Sequence, residues 1–263
     1  MAKAKTCTTE EKTLEERIAL LARCIAASKQ LVIFTGAGIS TDSGLPDFRG
    51  PDGVWTRRDK GLPPPKWKVH PDEIAPNASH RAIVELYKLG RLDFLISQNV
   101  DGLHLASGIP QEMLAELHGN GRLMKCLICD KRFLKEELRW DEDKWGPGYR
   151  TSPPVKGQPC CPDCGGRIIS SVINFGDSMP EKEMEIAEAH SRDCDLFLVL
   201  GSSLVVQPAA NMPLYAYKAK AKLIIVNQGD TPLDRIAYLR FHEGILDVMP
   251  PAVELVKKLL KAL

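Results

Sequence analysis

The sequence predicts an α/β protein with a doubly wound, Rossmann-like parallel sheet and a small inserted zinc-binding module. Short apolar runs alternate along the chain with segments of helical spacing, which is typical of parallel sheets covered by helices on both faces. Two Cys-x-x-Cys pairs interrupt this alternation near the middle of the chain. We therefore expect a discontinuous main domain, residues 13–120 and 171–263, with a zinc-ribbon-like module at residues 121–170.

Four apolar runs predict the buried strands of the sheet. They lie at Leu31–Phe34, Phe94–Ser97, Asp195–Leu200 and Leu223–Val226. Amphipathic segments predict the helices between and around these strands. They begin at a capping box at Thr13–Glu16, span residues 79–89 and 181–190, and end the chain after Ile245.

Composition and the N-terminal sequence argue against three other classes of protein. The formal net charge is +1, so global electrostatics gives no strong case for nucleic-acid binding. No apolar window has the length of a membrane span, and Met1–Lys12 lacks the apolar core of a secretory signal. We expect a cytoplasmic protein, or a nuclear one if the source is eukaryotic.

Eight cysteines in a chain without a secretory signal favour metal binding over disulfides. Two knuckles supply four thiolates, which fill a zinc tetrahedron and leave no open position, so the predicted site is structural. The predicted ligands are Cys126, Cys129, Cys161 and Cys164. Cys160 competes with Cys161, but Cys-Pro-x-Cys-Gly is the better knuckle. The ordinary thiols are Cys7, Cys24 and Cys194.

The first predicted strand runs into Gly36-Ala37-Gly38, which indicates a ligand-binding turn. Glycines at the carboxyl end of a buried strand let the chain turn sharply and let a phosphate approach the main chain. Residues 40–43 are expected to cap a following helix. The third glycine of a dinucleotide-binding fingerprint is replaced by Thr41, so the dehydrogenase form of the motif fails.

Residues 46–76 are too rich in glycine and proline for a long helix, yet they carry Asp47, Phe48, Arg49 and Trp55. A loop with such side chains is typical of a lid over a bound ligand. The alternative interpretation is a surface loop whose aromatic side chains pack into the core. The sequence alone supports either.

Polar side chains also follow the other predicted strands. Gln98, Asn99 and Asp101 come after the second strand, where α/β proteins place their chemistry, although a hydrogen-bonded turn uses the same residue types. Gly201-Ser202-Ser203 follows the third strand and suits a phosphate or ribose, and Asn227-Gln228-Gly229 follows the fourth. These loops are expected at one edge of the sheet, where a ligand would bind.

Five motifs occur in order along the chain, namely GAGIS, PDFRG, SQNVDGLH, ELHGN and SVINFGD. Together they resemble those of the sirtuins, a family of NAD-dependent protein-lysine deacylases. The GPDGVW segment resembles the branch of sirtuins six and seven. The resemblance implies a Rossmann-like NAD-binding domain, one structural zinc ion, and acylated proteins or peptides as substrates. It also implies a reaction that releases nicotinamide and O-acyl-ADP-ribose.

The resemblance also implies roles for individual residues. Catalytic roles fall to His118, Asn99 and Asp101, with His118 as the base that takes a proton from a ribose hydroxyl. Cofactor contacts fall to Gly36, Ala37, Gly38, Thr41, Asp47, Phe48, Arg49, Trp55, Gln98, Asn99, His118, Gly201, Ser202, Ser203, Asn227, Gln228 and Ile245. Peptide contacts fall to Val100, Asn174, Phe175, Gly176 and Asp177. Ser171–Asp177 is expected to be strand-like and to pair with the peptide main chain.

Three alternatives use many of the same features. Mono-ADP-ribosyl transfer to a protein shares the cofactor and its cleavage but uses another acceptor. An NAD-dependent dehydrogenase shares the sheet, but the third glycine is missing and no acidic residue ends a strand at the right distance. A zinc-ribbon module that binds nucleic acid needs a basic face, and the balanced charge argues against one.

Overall fold

The computed structural model describes residues 12–262. Residues 1–11 and 263, and with them Cys7, lie outside this part of the chain. The strands are β1 (Leu31–Thr35), β2 (Phe94–Ser97), β3 (Leu114–Glu116), β4 (Leu123–Cys126), β5 (Arg132–Leu134), β6 (Ile168–Ser170), β7 (Leu196–Leu200), β8 (Lys222–Val226) and β9 (Leu239–Phe241). The α-helices are α1 (Leu14–Ala27), α2 (Val54–Asp59), α3 (Ala78–Lys88), α4 (Leu103–Ser107), α5 (Glu142–Trp145), α6 (Glu181–Asp193), α7 (Met212–Lys218) and α8 (Ile245–Lys261).

Six strands form one parallel sheet in the order β3-β2-β1-β7-β8-β9. From β1 the chain builds outward through β2 and β3, and then returns to the other side of β1 with β7. In α/β proteins, ligands bind at the carboxyl edge of such a sheet, at the point where the strand order reverses. The predicted doubly wound fold is confirmed, and its reversal lies between β1 and β7.

Helices cover both faces of this sheet because successive strand residues point to opposite sides. Leu31 and Ile33 of β1 pack with α1, α3 and α8 in one buried cluster. Val32 and Phe34 pack with α6 and α7 in a second. Helix α1 begins after the capping box predicted at Thr13, which makes both of its hydrogen bonds. Among residues 12–262, no helix is both long enough and apolar enough to cross a membrane.

Strands β4, β5 and β6 form a separate antiparallel sheet inserted between β3 and α6. In its small core, Phe133, Trp140 and Ile168 pack with two of the predicted zinc ligands, Cys126 and Cys161. A core of this size supplies limited hydrophobic stabilisation, so a module of this kind depends on an additional cross-link. The inserted sheet and its cysteines agree with the predicted zinc-binding module.

The sequence did not predict the two edge strands, β3 and β9. Each has only three residues, and a charged residue, Glu116 or Arg240, interrupts the apolar pattern. Both strands pair in parallel with a buried neighbour, β2 or β8. The main sheet is therefore wider than the four predicted strands.

Two local predictions are wrong. Residues 40–43 do not cap a following helix, because they lie inside a 3-10 helix, Ala37–Ser43, that starts directly after Gly36. The strand expected at Ser171–Asp177 is not formed. Its second half is a turn in which the Asn174 N–H donates to the Asp177 carboxylate at 3.0 Å and the Asp177 N–H donates to the Asn174 carbonyl at 3.0 Å.

Candidate active site

Loops that follow the strands of the main sheet meet at its carboxyl edge, where hydrogen bonds join them. The N–H of Gly38, after β1, donates to the carbonyl of Gly201, after β7, at 2.9 Å. The side chain of Gln98, after β2, donates to the hydroxyl of Ser202 at 2.7 Å. The N–H of Gly201 donates to the carbonyl of Val226, at the end of β8, at 2.9 Å. The structure thus brings together the loops that the sequence singled out.

Glycines after β1 and β7 are required because these two loops touch through their main chains. A Cβ atom on Gly36 would lie 2.7 Å from the carbonyl oxygen of Gly201. A Cβ atom on Gly38 would lie 2.7 Å from the Cα atom of Gly201. Gly201 has a φ of +66°, and its own Cβ would lie 2.6 Å from the carbonyl carbon of Gly38. The structure thus gives a second reason for small residues here, since they leave room for the neighbouring loop, and their predicted contact with a phosphate stays a prediction.

A hydrogen-bonded network fixes the polar residues after β2. The Ser40 hydroxyl donates to Asp101 Oδ2 at 2.7 Å. The Asn99 amide donates to the Gly36 carbonyl at 3.2 Å and to Ser40 Oγ at 3.3 Å. Asp101 Oδ1 accepts from the Leu103 N–H at 2.9 Å. Ser40, interpreted from the sequence only as a helix cap, therefore links two of the three predicted catalytic side chains, those of Asn99 and Asp101.

His118 lies two residues beyond the end of β3 and is held in one tautomer. Its Nδ1 is 2.9 Å from the carbonyl oxygen of Gln98, which only accepts hydrogen bonds, so Nδ1 carries the proton. Burial lowers the pKa of His118, and the hydrogen bond to Gln98 offsets this only in part. The imidazole is therefore mainly neutral at pH 7, and Nε2, which makes no hydrogen bond within residues 12–262, can accept a proton.

Residues that precede the predicted peptide segment are anchored beside His118. The Ile173 N–H donates to the His118 carbonyl at 2.9 Å. Ser171 Oγ accepts from the Asn120 N–H at 3.1 Å and donates to the Asn120 carbonyl at 2.8 Å. Gly119 has a φ of +77°, and a Cβ there would fall 1.9 Å from the Ser171 carbonyl oxygen. Only glycine fits between the candidate base and this segment.

The lid segment contacts the peptide segment through aromatic side chains. Phe48 stacks on Trp55 with ring centroids 5.9 Å apart, and Trp55 meets the edge of Phe175 at 5.9 Å. Phe175 is 81% exposed in the turn that contains Asn174, Gly176 and Asp177. The lid side chains are thus neither buried in the main core nor isolated on the surface.

Other predicted cofactor residues stabilise their own turns. The Asp47 carboxylate accepts from the Gly50 N–H at 3.0 Å, and Arg49 beside it is exposed. The Thr41 hydroxyl donates to a carbonyl of its own turn at 3.0 Å. Ile245 is buried as the first residue of α8. Half-buried or exposed at the same edge are Ala37, Val100, Ser203, Asn227 and Gln228.

Behind the loops lies a buried polar cluster that the sequence did not indicate. Thr35 Oγ1 lies 3.1 Å from Ser97 Oγ and 2.8 Å from His104 Nε2. The ring of His80 is 5.1 Å from that of His104. Burial lowers the pKa of both imidazoles, to about 4 for His80 and about 3 for His104, so both are neutral. The available signal was the pair of hydroxyls that end two otherwise apolar strands.

A second buried group supports the chain that leads to His118. Glu116 Oε1 accepts from the Asn120 side chain at 2.7 Å, and Oε2 is 3.8 Å from Arg132 of the inserted module. Arg132 also forms an ion pair with Glu183 of α6. Burial raises the pKa of Glu116 to about 7, against the stabilising effects of Asn120 and Arg132. The inserted module is thus joined to the main domain beside the candidate base.

The four predicted zinc ligands form one cluster. Sγ atoms of Cys126 and Cys164 are 3.5 Å apart, those of Cys129 and Cys161 are 3.7 Å apart, and all four lie within 4.8 Å of one another. Zinc with tetrahedral Zn–S bonds of about 2.3 Å places its sulfurs about 3.8 Å apart. The Ile128 N–H donates to Cys126 Sγ at 3.3 Å. The cluster is suited to a closed structural zinc site.

The other cysteines among the described residues lie outside this cluster. Cys160 is exposed, and its main chain forms an isolated bridge with Arg167. Cys24 and Cys194 are buried, and burial raises the pKa of both, to about 12 for Cys194. The choice of Cys161 over Cys160 as a ligand agrees with the geometry.

Gly201→Ala is expected to lower the melting temperature by roughly 10 °C. Strain at a positive φ and overlap with Gly38 each cost about 1–3 kcal/mol, and about 1 kcal/mol shifts the midpoint of a domain of this size by about 2–4 °C. Gly229→Ala is the matched control, because its Cβ would meet nothing closer than 3.8 Å. Differential scanning calorimetry of both variants tests the close loop contact, and equal midpoints would contradict it.

Comparisons with known proteins agree with this architecture. Residues 64–208 match the Sir2 family. The chain is 45% identical over 238 residues to NAD-dependent protein deacetylase SRT1 of Oryza sativa subsp. indica, covering 89% of this chain and 47% of that protein. It is 36% identical over 231 residues to NAD-dependent protein deacetylase Sirt6 of Drosophila melanogaster, covering 87% and 72%. The chain thus spans about half the length of the rice relative, and the fly relative's name agrees with the predicted branch.

A solved structure described as "Sir2-p53 peptide-NAD+" superposes on this fold with a TM-score of 0.66. The two chains are 30% identical, and the match covers 95% of this chain and 98% of the other. Ordered motifs, the sheet with its cysteine-bearing insert, and relatives of sufficient identity and coverage lead to one conclusion. The chain belongs to the Sir2, or sirtuin, family.

Proposed function

We propose that this chain is a cytoplasmic, NAD-dependent deacylase of protein lysines. The observation that carries the proposal is His118, a neutral imidazole with a free Nε2 beside the Asn99–Ser40–Asp101 network. This group lies at the carboxyl edge, where strand order reverses and α/β proteins bind nucleotides. Two relatives named as NAD-dependent protein deacetylases support the same reaction.

The residues at this edge fit NAD by their chemistry. Amides, hydroxyls and a carboxylate converge there, and these groups suit the hydroxyls of two riboses and the amide of nicotinamide. Gln98 and Ser202 already bond to each other across two loops, so the edge is organised in advance. In this proposal the NAD-binding domain comprises residues 13–120 and 171–263, and the zinc-binding module comprises residues 121–170.

NAD would supply a glycosidic bond whose cleavage releases nicotinamide and leaves the ribose carbon of ADP-ribose to bond the acyl oxygen, so that the acyl group ends on ADP-ribose. His118 Nε2 acts as the base that takes a proton from a ribose hydroxyl, because its Nδ1 is committed to Gln98. Asn99 and Asp101 orient the ribose and water. Hydrogen bonds with Ser40 hold these two side chains in place. Phe48 and Arg49 close over the site, with the phenylalanine excluding water.

An acylated protein or peptide would bind between the lid and the turn at residues 174–177. Val100, 37% exposed, and Phe175, 81% exposed, offer apolar contacts on this side of the cleft. Main-chain pairing of the peptide with this segment, expected from the sequence, stays a prediction, and side-chain contacts and the acyl-lysine itself would add to recognition.

The decisive experiment uses the purified protein, NAD and an acetyl-lysine peptide. Chromatography is expected to show nicotinamide and deacylated peptide in equal amounts, with the acetyl group on ADP-ribose and no absorbance from NADH. The same peptide with free lysine is the control, and it should release little nicotinamide because it offers no acyl oxygen to capture the sugar.

Two other outcomes would contradict the proposal. Fast nicotinamide release with the unacylated peptide, with radiolabel from NAD retained on protein, would indicate mono-ADP-ribosyl transfer. Formation of NADH would indicate a dehydrogenase.

A further inference from the structure

Arg240 is an unusual residue for the edge strand β9, because its guanidinium is largely buried. Its side chain is only 10% exposed, although β9 has three residues and lies at the outside of the sheet. A buried guanidinium is costly unless each of its donors finds a partner. Its partners therefore indicate what the residue is for.

Two of those partners are main-chain carbonyls of the loop that follows β8. Arg240 Nη1 donates to the Asn227 carbonyl at 2.6 Å, and Nη2 donates to the Gly229 carbonyl at 2.6 Å. Nη1 also donates to the carbonyl of Phe241. The Nε donates to Asp234 Oδ1 at 2.8 Å. One planar group thus ties two ends of a three-residue loop to the end of β9.

Asp234 in turn fixes the orientation of the guanidinium. Its carboxylate accepts from the Thr231 N–H at 3.0 Å and from the Thr231 hydroxyl at 2.6 Å, in addition to Arg240. Burial opposes ionisation of Asp234, but the hydrogen bonds from Thr231 and Arg240 outweigh it and lower the pKa. A charged carboxylate therefore faces the Nε of Arg240 at neutral pH.

The loop itself has all three of its carbonyls engaged. The Asn227 side-chain amide donates to the Gly229 carbonyl at 2.7 Å, and the ring of His242 lies 3.3 Å from the Gln228 carbonyl. One N–H of the Asn227 amide makes this bond, which orients the amide, and its Oδ1 is an acceptor that can meet a ribose hydroxyl. Asn227 and Gln228 are the side chains expected to contact NAD from this loop.

We propose that Arg240, oriented by Asp234, is a positioning residue that holds the Asn227–Gly229 loop in its NAD-binding conformation. The inference rests on the proposed function, because NAD is the ligand that it names. An arginine is required because its rigid fork serves several acceptors at once, whereas a lysine offers one compact ammonium. Arg240 does not touch NAD in this account, and it acts through the loop.

The test compares Arg240→Lys, Arg240→Gln and Asp234→Asn with the unmodified protein. If the loop is in its binding conformation one-tenth of the time in the arginine variants, apparent affinity falls about tenfold. We therefore expect the KM for NAD, and the Kd for ADP-ribose measured by calorimetry, to rise on the order of tenfold. The kcat at saturating NAD and the KM for acetyl-lysine peptide should stay within twofold. Asp234→Asn should give a smaller rise.

Arg91→Gln is the matched control. Like Arg240, Arg91 donates to a main-chain carbonyl, that of Ala26, but it is half-buried and lies just before the amino end of β2. The Arg91→Gln variant should leave the Kd for ADP-ribose unchanged. If Arg240→Gln fails to fold, the Kd of Asp234→Asn for ADP-ribose is the test of the inference. An asparagine at this position can still accept a hydrogen bond from Thr231.

Two results would overturn the inference. One is a lower melting temperature with an unchanged Kd for ADP-ribose, which is what a purely structural arginine would give. The other is a loss of kcat without a rise in the KM for NAD. If the unmodified protein binds ADP-ribose but deacylates nothing, the proposed function fails, and weaker binding by the Arg240 variants still supports the positioning role.

Discussion

Cys161→Ser is expected to release zinc and to unfold the inserted module. The module has a small core, in which Phe133 and Trp140 pack against the cysteines, so the metal supplies much of its stability. Binding of a structural zinc ion is worth on the order of 10 kcal/mol, and it is coupled directly to folding. Loss of even about 3 kcal/mol would lower the melting temperature by roughly 10 °C.

Cys160→Ser is the matched control for this prediction. It makes the same change one residue earlier, at an exposed thiol outside the four-sulfur cluster. Zinc content, measured by atomic emission, should be one ion per chain in Cys160→Ser and near zero in Cys161→Ser. Full zinc in the Cys161 variant, or zinc loss in the Cys160 variant, would show that the ligand set is wrong.

The deacylation rate should fall together with the zinc content in the Cys161 variant, because contacts from the module help to hold the segment that carries His118. Arg132 of β5 reaches Glu116, two residues before His118, and the Ile173 N–H bonds to the His118 carbonyl. Unfolding of the module would release both contacts. Activity is therefore expected to fall although no cysteine lies among the predicted NAD contacts.

Central strands could be predicted because burial on both faces leaves a continuous apolar run. Leu31–Thr35 and Leu196–Leu200 have every residue buried. Edge strands have no such signal, and Glu116 and Arg240 show why: an edge position tolerates a charged residue if nearby groups pair with it. Three residues are also too few for a period to be recognised.

The zinc ligands were predictable because their chemistry is local. Each pair of cysteines is a knuckle within four residues, and only the choice between Cys160 and Cys161 needed an argument. The turn at Asn174–Asp177 was also encoded locally, because the Asp177 carboxylate binds the Asn174 N–H and Gly176 has a φ of +92°. The apolar residues of the SVINFGD motif concealed that turn, since they also suit a strand.

Contacts between segments that are distant in the chain could not be predicted from the sequence. Gly36 and Gly201 are far apart in the chain, and nothing local shows that their main chains meet. The hydrogen bond between Ser40 and Asp101 has no sequence signal either, because these residues are also far apart in the chain. Such pairings follow from the strand order, in which β1 lies between β2 and β7. Sequence motifs named the loops, and the topology determines which of them touch.

His118→Asn is expected to reduce deacylation by ~10²–10⁴-fold, the usual cost of losing a general base. The variant is chosen because an asparagine amide can still donate to the Gln98 carbonyl, which His118 Nδ1 now contacts at 2.9 Å. It offers no basic nitrogen at the position of Nε2. Binding of ADP-ribose, zinc content and melting temperature should therefore change little, while turnover of an acetyl-lysine peptide nearly stops.

The pH dependence gives an independent test of the same residue. His118 must be neutral to accept a proton, and burial lowers its pKa below the ordinary value of about 6.5. The acidic limb of kcat/KM for the unmodified protein should therefore have its midpoint below about 6.5 and be absent from the residual activity of His118→Asn. His190→Gln, a histidine beside Asp93 at the amino end of β2, should keep both the limb and the rate. Normal turnover by a folded His118→Asn protein, or the same limb in its residual activity, would remove His118 from the reaction.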